Sequence, residues 1–151
     1  MAGREKKEDN DIFFLCSLIE YIARKTKNHR NVVVNAIAKE KLQHIYDLAD
    51  VYHSENIDKI TDTLIKNHHI EDGFFDNIAD SKYSVPTHWD IGKVYKRLIV
   101  EVSNNSQKPI IDVLVEVYNS WISRKIEDFN SSLYYESPSY IYQSYLKGDV
   151  L

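Results

Sequence analysis

The chain is predicted to be all-α, a compact bundle of about six or seven helices. Three observations lead there. Apolar residues recur at three- and four-residue steps through most of the chain, the period of an amphipathic helix. Only 4 Gly and 3 Pro occur in 151 residues, too few for a turn-rich β-sandwich. Val32, Val33 and Val34, the run that would best suit a strand, have no partner strand or hairpin turn nearby. At 43% hydrophobic and 28% charged residues, the composition is that of a globular domain that can bury enough apolar area to offset chain entropy.

Residues 1–8 are charged and without apolar periodicity, and read as a mobile N-terminal tail. The single helical domain then spans residues 9–151, with a soft division near 71–87. Asp9, Asn10 and Asp11 offer cap oxygens and negative charge at a helix start, and Ile12, Leu15, Ile19 and Ile22 form its stripe. Phe13, Phe14, Cys16 and Leu18 widen that stripe, so the first helix is expected to be central. A second helix is expected over Asn31–Ala38 and a third over Lys39–Tyr52. A fourth begins near Asn56 and carries Ile57, Ile60, Leu64 and Ile65.

The stretch from Glu71 to Thr87 breaks the pattern. Gly73, Pro86 and several Asp, Asn and Ser residues favour turns, yet Phe74, Phe75, Ile78 and Tyr83 imply attachment to the body. Connections of this length inside a domain are often functional. Helix resumes over His88–Ser103. Pro109, tolerated in a first turn, opens a long helix to about Asn130. Ser137-Pro138 and Gly148 bracket a last short helix, with Ile141, Tyr145 and Leu146 expected to face inward.

Several function classes lose support. The single cysteine, Cys16, excludes an internal disulfide framework and any CxxC site, and its apolar setting suits a buried thiol rather than a nucleophile. Of the six histidines, no pair has the i,i+3 or i,i+4 spacing that a helical zinc site uses, and no cofactor is expected. There is no GxxxxGK(S/T), GxGxxG or GxSxG. An enzyme is therefore not expected, and a small helical hydrolase with a site assembled only in three dimensions is the third-ranked reading. A formal charge of −4 disfavours nucleic acid as partner. The residual alternative is a helix-turn-helix regulator over Asn31–Asp50, with Arg30, Lys39, Lys41, Gln43 and His44 as contacts. The longest apolar run, near residues 12–22, is interrupted by Ser17 and Glu20 and is too short to span a bilayer. With no apolar leader at the start, a cytoplasmic location is expected. Abundant Lys, Ile, Asn and Tyr, all with A/T-rich codons, imply an AT-rich bacterial, phage or mobile-element genome.

Tyrosine is the least ordinary feature: of 11, five fall between Tyr134 and Tyr145. Tyrosine joins large apolar area to a polar tip and is enriched in interfaces. Phe74, Phe75, Tyr83, Trp89, Tyr134, Tyr135 and Tyr142 are the candidate partner-binding residues. The partner would be a protein, or a second copy of the chain as a homodimer.

The stretch IFFLCSLIEYIARKTKNHRNVVVNAIAKEKLQHIYDLADVYHSENIDKITDTLI resembles a family of short bacterial proteins of unknown function. In that family an aromatic-rich first helix precedes a helix pair, a Tyr/Leu-x-His element (here Val51-Tyr52-His53) and an amphipathic helix (Ile57 to Ile65). Its members are encoded beside ADP-ribosyltransferase-type toxins. The resemblance covers the first 65 residues and implies an antitoxin-like or accessory role, with a cognate toxin as partner. It says nothing of residues 71–151.

Overall fold

The computed structural model describes residues 2–151, with side chains from Lys7 onward. Met1, part of the expected tail, lies outside the described residues. Helix accounts for 70% of the chain, and no strand occurs among the described residues. Among the described residues, eight α-helices run in the order α1 (Ala2–Thr26), α2 (Arg30–Asp47), α3 (Ala49–His53), α4 (Ile57–Asn67), α5 (His88–Ser106), α6 (Ile110–Tyr118), α7 (Trp121–Ile126) and α8 (Pro138–Lys147). A single 3₁₀ turn, Leu133–Tyr135, precedes α8.

The all-α class is as the periodicity predicts, and α1 is the central element. Ile12, Leu15, Cys16, Ile19, Ile22 and Ala23 are fully enclosed, and α1 packs against α2, α3, α4 and most extensively α5. Each large aliphatic side chain withdrawn from water contributes about 1.5–3 kcal/mol, so this one helix organises much of the core. Its partner α5 lies antiparallel, with Tyr21 beside His88, Ser17 beside Gly92 and Asp9 near Lys96. The crossing at Gly92 is close: a Cβ there would sit 2.1 Å from Ser17 Oγ and 2.9 Å from Ser17 Cα.

Start and stop signals act where the residue types place them. Thr87 and Asp90 form a capping box at the head of α5, each side chain accepting the other's backbone N–H at 3.0 and 2.9 Å. Ser137 caps α8 through the Tyr140 N–H, Pro138 occupies its first turn, and Gly148 ends it at φ 86°. Asn56 caps α4.

Four elements differ from expectation, the first being the helix expected over Lys39–Tyr52, which is broken at Leu48 into the end of α2 and the separate α3. The first helix starts at Ala2 rather than Asp9, so residues 2–8, expected as a tail, are helical. The expected boundary at Ala38 is a sharp kink inside α2, with φ 73° and ψ 157° at Ala38, a region almost confined to glycine. The long helix expected over 109–130 is two helices. The Val115 carbonyl accepts both the N–H and the Nδ2 of Asn119, and the Val117 carbonyl accepts the N–H and Oγ of Ser120 three residues on, so the last turn tightens and the ladder stops there.

Candidate partner-binding surface

The connection from α4 to α5 is irregular and firmly attached. Backbone N–H groups of Gly73 and Phe75 donate to the carbonyls of Thr26 and Lys27, each at 2.8 Å. Asn28 Nδ2 donates to the Glu71 carbonyl at 2.8 Å, and Asn77 Nδ2 to the Glu127 carbonyl at 2.9 Å. Gly73 is required by the close approach, because a Cβ would lie 2.6 Å from the Lys27 carbonyl oxygen and 2.3 Å from Asn28 Oδ1.

A buried ionic centre stands behind these bonds. Arg30, 0% exposed, donates from Nε and Nη2 to the two oxygens of Glu20 at 2.8 and 2.6 Å. Its Nη1 donates to the Asn28 carbonyl, and its backbone N–H donates to Glu127 Oε2 at 3.0 Å. Arg24 donates to the same Glu20 at 2.8 Å, and His29 Nδ1 pairs with Glu127. Burial alone would push the Glu20 carboxyl up, but the guanidinium groups of Arg30 and Arg24 outweigh it and hold it below the ordinary value. Because an unpaired charge in such a place is costly, the centre ties together the α1–α2 turn, the connection and the end of α7.

The seven aromatic candidates divide against this frame. Phe74 is 102% exposed, on the solvent side of the pinned Gly73–Phe75 turn. Phe75, beside it, stacks on the His29 ring at 4.0 Å and takes part in holding the connection. Tyr83 and Trp89 are exposed, as are Ile78 and Val85 between Phe74 and Trp89. Near the C-terminus, Tyr135 is 69% exposed, whereas Tyr134 and Tyr142 are half-buried and packed against the core. Tyr134 meets Phe129 edge-on at 5.8 Å. Helix α8 is anchored by Ile141 and the small Ser144, with Tyr145 half-buried. Leu146, expected to face inward, is 57% exposed, because five residues on from the buried Ile141 it lies about 140° around the helix.

Two clefts flank the start of α1. One, of about 430 Å³, lies between α5 and α8 and is lined by Lys96, Arg97, Val100, Tyr142 and Gln143, with Asp9 at its edge. The other, of about 310 Å³, lies between α1, α3 and α5 and is walled by Phe13, Phe14, His53 and Trp89. Periodicity assigned Phe13 and Phe14 to the core stripe and left their role in this cleft unread. Their adjacency is the available signal, since neighbouring residues on a helix point about 100° apart and here reach different sides of one cleft, Phe13 towards Trp89 and Phe14 towards His53.

Other candidate chemistry is placed as follows. Cys16 is fully buried, and burial pushes its thiol up to about 12, the Tyr118 hydroxyl opposing weakly. Among the described residues, no group of three or more His, Cys, Asp or Glu side chains could share an ion. The cations offered to a helix-turn-helix are engaged within the molecule: Arg30 is enclosed, Lys39 pairs with Asp112, and Lys41 donates to the Tyr52 hydroxyl at 3.1 Å. No described helix is long and apolar enough to cross a membrane. No protein-family model, no curated protein and no solved structure matches the chain.

Proposed function

We propose that this protein is a non-enzymatic protein-binding module, an antitoxin-like or accessory component of a bacterial toxin–antitoxin or defence locus that acts in the cytoplasm. The observation that carries the reading is Phe74, whose ring stands wholly in solvent while the backbone on both sides of it is hydrogen-bonded to the α1–α2 turn. A large apolar ring in water gains nothing for the folded monomer, whereas on an ordered segment it binds a partner with little further loss of chain entropy. Tyr83, Ile78 and Val85 in the same connection are exposed, the composition of an interface rather than of an ordinary loop. The resemblance of the first 65 residues to proteins encoded beside toxins supplies the kind of partner.

Co-expression with the product of the adjacent reading frame tests the proposal. A stable complex is expected, and Phe74→Ala with Tyr83→Ala should weaken it by more than about 2 kcal/mol, the level of an interface hot spot. Thermal melting of the double variant should be unchanged. If the chain alone sediments as a dimer that this variant dissolves, the second copy is the occupant of the surface instead.

A further inference from the structure

The smaller of the two clefts has a chemistry that selects its ligand. Phe13 leans towards Trp89 at the head of α5, with ring centroids 5.6 Å apart and planes at 47°. Phe14 leans the other way, towards His53 at the end of α3, at 5.3 Å. The space between the two pairs is the 310 Å³ cleft, and Asp11 and Asp50 also line it. The ammonium of Lys7 lies 2.9 Å from Asp11 Oδ2 and 3.2 Å from Asp50 Oδ2. Two carboxylates thus share one cation. Ring faces carry negative quadrupole charge and attract cations. Among the described residues, the chain's own cations lie over Phe129, Phe75 and Tyr52, none of which lines this cleft.

The occupant that satisfies aromatic walls, an acidic rim and a partly open mouth together is a flat cation. A guanidinium is weakly hydrated, stacks on indole and takes a carboxylate through two parallel N–H bonds, which a compact ammonium does not. We propose that the cleft between α1, α3 and α5 receives an arginine side chain of the partner protein, stacked against Trp89 and paired with Asp50 in place of Lys7. The inference rests on the protein-binding reading above and names the anchor that the partner must present.

The indole N–H resonance of Trp89, followed by NMR in the full chain, reads the cleft directly, with Trp121 on α7 as internal reference. N-acetyl-arginine amide is titrated beside N-acetyl-citrulline amide, its neutral isostere. The arginine probe should move the Trp89 signal saturably and leave Trp121 still, and the citrulline probe should move neither. Asp50→Asn should weaken the response about threefold, the size of one exposed charge contact. Lys7→Met, which removes the competing ammonium, should strengthen it. Both side chains are more than half exposed, at 74% and 53%, so folding is not at stake in either variant. Equal response to both probes, no response, or a weaker response in Lys7→Met overturns the proposal. The two readings fail separately. A silent probe with an intact co-expressed complex removes the arginine pocket alone, and a responding probe without a complex removes only the adjacent-frame partner.

Discussion

The α4–α5 connection and helix α8 are attached to the same body by opposite means. Residues 71–87 have no regular backbone, yet Gly73, Phe75 and Asn77 are bonded into the α1–α2 turn and the end of α7, over a fully buried Arg30–Glu20 pair. Helix α8 is regular and well capped, yet it is fixed through few fully buried side chains, Ile141 and Ser144. Backbone regularity therefore says little about how firmly a segment is held. A buried polar network is cooperative, since removing one member leaves the others unpaired. Apolar docking is graded, since each side chain contributes by its own area.

Arg30→Ala is the strongest way to break the contrast. It removes the two-bond partner of Glu20, leaving that buried carboxylate with Arg24 alone, and should destabilise the protein by about 3–5 kcal/mol, with faster hydrogen exchange through residues 71–77 before the rest of the chain. Replacing Glu20 and Arg30 together by methionine should cost less than Glu20→Met alone, because the enclosed Arg30 guanidinium is then no longer left without its carboxylate and Arg24, at 14% exposure, is the group that loses a partner. The pH dependence has a definite sign. With the folded carboxyl of Glu20 below its unfolded value of about 4.3, its contribution is complete above that pH and is lost as pH falls through the folded value. The stability gap between Arg30→Ala and the parent protein in denaturant melts should therefore begin to narrow as pH falls below about 4.3 and go on narrowing through the lower folded value.

Ile141→Ala tests the apolar attachment. A cost of about 2–4 kcal/mol is expected for a buried aliphatic truncation, read as a lowered melting temperature with exchange accelerated in α8 and not in the connection. Next in size is Gly73→Ala, where the added Cβ meets the Lys27 carbonyl. Overpacking of this kind costs about 1–3 kcal/mol, and exchange of the Gly73 and Phe75 amides should report it. The smallest effects belong to Tyr135→Ala and Leu146→Ala, both exposed, which should change stability by no more than about 0.5 kcal/mol. A larger loss at Tyr135 would show that α8 relies on the 3₁₀ turn before it.

Local signals made much of this architecture legible. Thr87, Asn56 and Ser137 cap helices because their side-chain oxygens reach backbone N–H groups two or three residues ahead, a matter settled within one turn of chain. The same holds for the mixed Gly, Asp and Asn content that makes 71–87 irregular. Where expectation failed, position relative to distant elements took part. Asn119 ends α6 while paired with Asn35, 84 residues away. Leu146 looked like an anchor by type, but whether a residue faces a neighbour depends on where that neighbour lies.

What the sequence by itself determined is the helical class, the central place of α1, the starts of α4 and α5, both ends of α8, and the irregular connection. All of these follow from periodicity and from side-chain chemistry acting over a few residues. Only the tertiary structure decided that Arg30, Glu20 and Glu127 share one buried centre, that Phe75 is an anchor while Phe74 faces water, and that Phe13, Phe14, His53 and Trp89 wall one cleft. Those outcomes depend on which helices meet and at what register, and a helical pattern specifies how wide its apolar face is but not what will cover it.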